Sequence, residues 1–278
     1  MNTSNLRKQY IGFLKTHSLW IDKAPFSNFL FDFEIDANAK PIPKIIQINI
    51  PDNEVLGKRI EHFFEYYINS VHHYKILLKN KQIFKDKITI GEIDFIIEDH
   101  TQQLLIHVEL VYKFYLYDPD ASAIELQKWV GPNRKDRFID KIEKLNKKQL
   151  PLLHRPETEA VLQKIKIDTK NILQQICFLG NLFVPQSYKG KMLPFINNKC
   201  IVGFWIHWQE FIPEDYENAL FFIPNKQDWM VDPESNDIWY SFFIITEKIK
   251  NNMLQKKATL LWMKSSETLF SKFFIVWW

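Results

Sequence analysis

The sequence predicts an α/β protein, because an amphipathic helix, three extended segments, a second helix and a further strand follow one another along the chain. Apolar residues at spacings of three and four predict the first helix at 54–77. Alternation of apolar and polar residues predicts three strands, at 82–88, 91–98 and 104–116. A helix at 136–148, closed by Pro151, and a strand within 176–184 follow. The predicted core, 54–189, is therefore a helix, a three-stranded antiparallel meander, a helix and a strand.

An N-terminal segment and a C-terminal extension flank this core. A helix at 6–17 and a strand at 44–50 are predicted within the N-terminal segment, 1–53, which we expect to pack on the core. The rest of the chain, 190–278, carries most of the tryptophans, and we interpret it as an α/β extension.

The pattern of this extension predicts two strands and one helix. The strands are expected at 200–211 and 258–263. The apolar positions that predict the helix between them are Ile238, Phe242, Ile245, Ile249 and Met253. Core packing is the favoured use of the Trp and Phe side chains, and stacking on nucleic-acid bases is the alternative.

Composition excludes several classes of protein. With 46% hydrophobic residues the chain has enough apolar surface to fold, so disorder is excluded as its main state. No apolar run approaches the roughly 18 residues of a membrane-spanning helix, and charge near the start argues against a signal peptide. Two cysteines in no ligand-like spacing fit a reducing compartment. We therefore expect a cytoplasmic protein with no membrane partner.

Two carboxylates stand at matching places in neighbouring predicted strands. Asp94 and Glu109 lie opposite the apolar face of their strands, and antiparallel pairing would bring them together. Close carboxylates repel, which raises their pKa unless a cation such as Mg²⁺ relieves them. Lys113 shares the face of Glu109 and adds a positive charge. The alternative is that these acids are solvated positions on an exposed sheet face.

The helix predicted at 54–77 carries a third acid. On a helical wheel, Glu61 lies at the flank of the apolar face beside Ile68, whereas Glu65 points toward solvent. Glu61 can therefore lean over the edge of the sheet as a third metal ligand.

These residues carry a family resemblance. Glu61 on a helix, the run Gly91-Glu92-Ile93-Asp94, and the run His107-Val108-Glu109 with a downstream lysine resemble the PD-(D/E)xK restriction-endonuclease-like superfamily. The GEID…VE run is similar to the Holliday-junction-resolvase type of motif. The resemblance covers about residues 54–185. The chain is also similar to an uncharacterised bacterial family placed in that superfamily, through the strings LGKRIEHFFEYYI, TIGEIDFII, HVELVYKFYLY and WVGPNRKDRFIDKIEKL.

The resemblance implies a restriction-endonuclease-like core and a Mg²⁺- or Mn²⁺-dependent nuclease, a hydrolase acting on phosphodiester bonds. It implies that Asp94, Glu109 and Glu61 bind the metal and that Lys113 is the catalytic lysine. The family's lysine comes two positions after the acid, and this chain has Val111 at that position, with Lys113 two positions further on. Lys141 on the next helix is a second candidate for the lysine. The alternative is a catalytically inactive nuclease-fold protein that binds nucleic acid or protein.

The most basic window near the predicted site is 128–148, with eight Lys and Arg against three acids. We expect its helix to contact nucleic-acid phosphates through Arg137, Lys141, Lys144 and Lys148. The alternative is a solvated helix face that carries the ion pairs Asp140–Lys144 and Glu143–Lys147.

Overall fold

A computed structural model of the chain describes residues 3–20, 30–31 and 42–278. Its helices are α1 (Thr3–Lys15), α2 (Leu56–Ser70), α3 (Phe138–Lys144), α4 (Leu150–Leu152), α5 (Pro156–Gln163), α6 (Pro213–Tyr216) and α7 (Phe242–Leu254). Its strands are β1 (Tyr74–Lys85), β2 (Ile88–Asp99), β3 (Leu104–Tyr117), β4 (Trp129–Val130), β5 (Ile172–Pro185), β6 (Ile201–His207), β7 (Leu220–Phe222), β8 (Tyr240–Ser241), β9 (Thr259–Lys264) and β10 (Phe270–Val276). The predicted α/β class is confirmed.

Within the described residues the strands form one large, mostly antiparallel sheet. The order is β1-β2-β3-β5-β6-β10-β9-β7-β8, and β4 pairs with β3. β1, β2 and β3 form an antiparallel meander. β3, β5, β6 and β10 run parallel to one another. Because β5 pairs directly with β6, the strands on the two sides of residue 190 belong to the same sheet.

Helices cover both faces of the sheet, so the central strand β3 is buried on both sides. On one face, Phe63 and Phe64 of α2 pack with Phe95 and Val108 of the meander. On the other face, the ring of Phe138 at the start of α3 lies 5.5 Å from that of Tyr115. Alternation along β3 therefore directs successive side chains into two separate cores.

A π-helical turn, Leu145–Gln149, joins α3 to α4. Proline is tolerated in the first turn of a helix, where its missing N–H is not needed. The π turn places Pro151 in that position of α4, so the predicted end of the helix at Pro151 is wrong. Gly91 makes room for α4 on β2, because a Cβ at that residue would lie 2.6 Å from Cδ2 of Leu152.

Several predicted boundaries are wrong. The segment 44–50 forms no strand, and the helix predicted at 54–77 ends at Ser70. Val71 caps that helix in an extended conformation, and β1 starts at Tyr74, so the apolar side chains beyond the cap belong to a strand. The segment 82–88 contains the turn between β1 and β2, where Asp86 has a φ of 55°.

The C-terminal strands carry an aromatic core. The strand predicted at 200–211 spans Ile201–His207 in the structure, so its predicted end is wrong. Ile238, one of the positions that predicted the C-terminal helix, lies outside α7. Trp205 and Trp262 are 5% and 3% exposed, which confirms core packing for these two side chains. A second group of C-terminal aromatics packs beneath α7 and includes Phe204, Phe211, Tyr216, Phe221, Phe242 and Phe273.

Candidate active site

Asp94 and Glu109 meet where β2 and β3 separate. The last pair of the β2–β3 ladder is Phe95 with Val108, so the next step along both strands sets Asp94 opposite Glu109. The Asp94 carboxylate accepts a hydrogen bond from the backbone N–H of Leu110 at 2.9 Å. Burial, followed by repulsion from Glu109, raises the pKa of Asp94 to about 7. The two acids therefore interact through space.

Glu109 is fully buried, and two neutral donors hold its carboxylate. Its exposed fraction is 0%, so the alternative of a solvated sheet face is wrong for this residue. Nε2 of His107 lies 3.0 Å from Oε1, and Nε2 of Gln149 donates to Oε2. Burial raises the pKa of Glu109 to about 8, although Lys141, Lys144 and Gln149 act in the opposite direction.

The hydrogen bonds of His107 identify its tautomer. Nε2 of Gln174 lies 3.1 Å from Nδ1 of His107 and also donates to the carbonyl of Leu150. An amide nitrogen only donates, so Nδ1 accepts and the ring proton is on Nε2, directed at Glu109. Burial lowers the pKa of His107 to about 4, which keeps the ring neutral near pH 7. His107 is therefore a neutral hydrogen-bond donor that positions Glu109.

Lys141 is a cation close to the acid pair, since its charge interacts with both Asp94 and Glu109. Its Nζ donates to Oε1 of Gln149 at 2.7 Å, and Gln149 in turn holds Glu109. Burial, followed by repulsion from Lys144, lowers the pKa of Lys141 to about 8, while Glu109 and Asp94 act to raise it. We call Asp94, His107, Glu109, Lys141 and Gln149 the acid site.

Lys113 lies on the same side of the sheet but contacts a different acid. Its Nζ is 2.8 Å from Oδ2 of Asp136, just before α3. It influences the pKa of Lys141 as a nearby positive charge. The structure therefore connects Lys141 to Glu109 through Gln149, whereas Lys113 forms a salt bridge with Asp136.

Glu61 approaches the acid site from α2 and is held by Lys58. The Nζ of Lys58 lies 2.9 Å from Oε2 of Glu61 and 3.0 Å from Oε1 of Glu92. The Glu61 side chain is 17% exposed, and burial raises its pKa despite the lysine. The charge of Glu61 also raises the pKa of Asp94. Glu65, predicted to point to solvent, instead pairs with Lys79 and is partly buried.

The basic residues of α3 and the π turn divide into paired and unpaired cations. Arg137 binds Asp140, and Lys147 binds Glu143 at 2.8 Å, so one of the two predicted i,i+4 pairs is confirmed. Asp140 pairs with Arg137 rather than with Lys144. Lys144 and Lys148 are exposed and form no salt bridge with any described residue.

Sequence reasoning assigned no supporting role to His107 and did not identify Gln149. His107 and Glu109 are two apart in a strand, a spacing that places both on one face and was available as a signal. Lys141 and Gln149 are eight apart, or about 80° from alignment on an ideal α-helix. The π turn winds more slowly and brings them together, and nothing in the sequence pattern marked that turn.

No group of three or more His, Cys, Asp or Glu side chains in the described ranges is arranged to hold a metal ion. The described helices also include none with the length and apolar character needed to cross a membrane.

The chain belongs to the family described as "Domain of unknown function (DUF1853)", whose model matches residues 8–268. No curated protein and no solved structure matches the chain. The family's description states no activity, so an account of function depends on the chemistry of the acid site.

Proposed function

We propose that the protein is a metal-dependent nuclease that hydrolyses phosphodiester bonds in nucleic acid at the acid site. The observation that carries the proposal is the pair Asp94 and Glu109, two interacting carboxylates whose pKa values are raised to about 7 and about 8. Buried carboxylates with raised pKa values are candidates for functional sites, and the charge of Glu109 contributes to the raised pKa of Asp94. A bound cation would relieve the cost of holding both charges.

The available donors are carboxylate oxygens, the type of ligand that Mg²⁺ and Mn²⁺ prefer. Mg²⁺ is commonly bound through one or two carboxylates and completes its shell with water and substrate phosphate. Asp94 and Glu109 would hold such an ion, and the absence of a third ligand among the described residues is compatible with this mode. Glu61, already bound to Lys58, would support the site from α2 by its charge.

Each neighbouring side chain has a role in this proposal. The ion, when bound, would supply Lewis-acid activation of water and of the phosphate. Lys141 would stabilise the negative charge that develops on the phosphate, the role that the resemblance assigned to Lys113. His107 and Gln149 hold Glu109 in one orientation. Lys113, bound to Asp136, would position the start of α3.

The surrounding elements are consistent with a restriction-endonuclease-like core. A helix, three antiparallel strands, a helical segment and a strand parallel to β3 follow one another from α2 to β5. Both acids lie in this segment, on neighbouring strands. This order supports assignment to that core, and the assignment is part of the proposal.

Nucleic acid would approach along the exposed side of α3 and the π turn. Lys144 and Lys148 are exposed there, and Lys144 is close enough to Glu109 to affect its pKa. Such lysines contact phosphates without reading sequence. Arg137 forms an ion pair with Asp140 and would therefore contribute less to phosphate binding.

The test is cleavage of single-stranded, duplex and branched DNA and RNA with Mg²⁺ or Mn²⁺ and with chelator. We expect metal-dependent cleavage by the wild type and none by Asp94→Asn or Glu109→Gln. Glu143→Gln is the matched control, because Glu143 is an exposed acid on α3 that pairs only with Lys147 among the described residues. Wild-type activity in Asp94→Asn or Glu109→Gln, with chelator-insensitive cleavage, would refute the proposal.

A binding module without cleavage is the second candidate. It is favoured by the observation that both oxygens of Glu109 already accept hydrogen bonds and that no three-ligand group is formed among the described residues. In that case the wild type would bind nucleic acid, bind no divalent ion, and leave every substrate intact. Metal titration together with the cleavage assay separates the two candidates.

A further inference from the structure

A cavity of about 510 Å³ lies across the sheet from the acid site. It is formed between α1, the strands β5, β6 and β10, and the segment 230–235. Thr16 of its lining contacts the hydroxyl of Tyr112 at 2.8 Å. Tyr112 stands on the face of β3 opposite Glu109 and Lys113, since side chains alternate along a strand. The cavity is therefore separate from the residues of the proposed function.

The lining of the cavity carries an excess of positive charge. Its cations are Arg7, Lys8, Lys15 and Lys272, joined by His17, and its acids are Asp232 and Glu234. Lys15 lies 3.7 Å from Asp232, and Lys8 donates to the carbonyl of Ser235. One acid is thus shared between two lysines, because Asp232 also attracts Lys272. The cavity has more cations than its own acids balance.

Lys272 is the least compensated of these cations. Its side chain projects from β10, and its Nζ forms no hydrogen bond or ion pair with any described residue. Burial lowers its pKa to about 8, Asp232 acts to raise it and Lys15 to lower it. An ammonium in this environment gains from an anionic partner more than a surface lysine does, because water already solvates the surface lysine.

The rest of the lining suits an organic molecule. Ile11, Val202, Met230 and Val231 supply apolar surface, and Asn181 and Thr16 supply polar groups. A volume of about 510 Å³ lies within the range of pockets that enclose small ligands. Several cations around one unpaired lysine match a multiply charged anion such as phosphate.

We propose that this cavity binds the phosphate group of a small organic molecule, with Lys272 facing the phosphate and Lys8 and Lys15 flanking it. The apolar lining receives the organic part. This is a second binding site, beyond the proposed nuclease function and independent of it.

Calorimetric titration of the full chain with inorganic phosphate, AMP and adenosine tests the proposal. We expect phosphate and AMP to bind and adenosine to bind far more weakly. Lys272→Met should weaken AMP binding about tenfold or more, the effect of losing a hydrogen bond to a charged group. Lys75→Met, an exposed lysine on β1 outside the cavity, is the matched control and should bind as the wild type does.

Two results would overturn the proposal. One is the absence of binding by both phosphate and AMP. The other is AMP binding that is unchanged in Lys272→Met but lost in Glu109→Gln, which would assign the phosphate to the acid site. Loss in Lys272→Met with retention in Glu109→Gln supports the cavity whether or not the protein cleaves nucleic acid.

Amine acylation of the wild type gives a readout that needs no variant. A lysine with a lowered pKa reacts readily near pH 8, and bound phosphate should protect it. Peptide mass spectrometry should show acylation of Lys272 falling several-fold in saturating AMP while acylation of Lys75 is unchanged. Equal acylation of Lys272 with and without AMP would contradict the proposal.

Discussion

Two regions of the sheet bury side chains of different chemistry. Beneath α3, the sheet buries a carboxylate and an imidazole, Glu109 and His107, both 0% exposed. Beneath α7, it buries aromatic rings, with Phe204 and Phe273 stacked at 4.9 Å and Phe211 and Phe221 edge to face at 5.4 Å. We call the second region the aromatic cluster.

This difference separates stability from function. Burying a charge costs free energy unless it is paired, whereas burying aromatic rings stabilises the fold. The aromatic cluster therefore explains why the C-terminal strands hold together. The acid site adds a cost that apolar residues of similar size would avoid. Under the proposed function, these charges bind the metal ion.

The largest effect is expected from truncating a buried side chain of the aromatic cluster. Phe221 is fully buried, and Phe221→Ala should lower the free energy of unfolding by about 3–5 kcal/mol, through lost burial and the cavity left behind. Phe243→Ala is the matched control, because Phe243 is 65% exposed on α7. Urea unfolding of both variants measures the effect. A change below about 1 kcal/mol for Phe221→Ala would show that the cluster is loosely packed.

The next effect concerns the lysine of the acid site. Lys141→Met should lower single-turnover cleavage by about 10²–10³, as expected for loss of one electrostatic stabiliser. Lys113→Met is the control, because Lys113 lies on the same side of the sheet but binds Asp136. This change should lower the rate by less than about tenfold. The reverse ranking would return the catalytic role to Lys113.

A third effect is the pH dependence of stability. Asp94 has a pKa of about 7 in the folded chain against an ordinary value of 3.8, so the folded state holds the proton more tightly. Its contribution to stability is full below about pH 4 and is lost as the pH rises through about 7. Asp94→Asn removes this loss and keeps an oxygen for the N–H of Leu110.

Urea unfolding of wild type and Asp94→Asn from about pH 5 to about pH 8 measures this loss. The free energy of unfolding of Asp94→Asn should increase relative to that of the wild type as the pH rises. Subtracting the two curves largely cancels the titration of His107, whose lowered pKa has the opposite slope below about pH 6.5. Asp140→Asn, at an exposed acid of α3, should follow the wild type. A constant difference between wild type and Asp94→Asn would mean that Asp94 is not perturbed.

The smallest effect is on nucleic-acid affinity. The double variant Lys144→Ala and Lys148→Ala should lower the slope of log K against log salt by about 2 for duplex DNA, because two phosphate contacts are lost. Lys147→Ala, whose charge is paired with Glu143, should change the slope less. Gel-shift titrations across ionic strength measure both slopes, and equal slopes for wild type and the double variant would exclude this face.

The acid pair could be found from sequence because alternation in a strand is local. Asp94 and Glu109 stand out against apolar neighbours, and antiparallel pairing of consecutive strands is the simplest connection. The helix predicted at 54–77 overran Ser70 because apolar residues continue into β1, and periodicity alone does not mark that change.

The partners of the acids depend on contacts distant in sequence. Gln149 reaches Glu109 only because a π turn rotates it into line with Lys141. The choice of Lys141 over Lys113 depends on Asp136, which binds Lys113 across the start of α3. Neither spacing nor composition encodes such pairings in a form that can be read without the fold.

Calorimetric titration of Mg²⁺ and Mn²⁺ into the wild type, Asp94→Asn and Glu143→Gln tests most directly whether the acid site holds a divalent cation. We predict a binding event in the wild type and in Glu143→Gln that is lost in Asp94→Asn, because two interacting carboxylates gain most from a cation. Absence of binding in the wild type, or equal binding in wild type and Asp94→Asn, would contradict this account of the acid site.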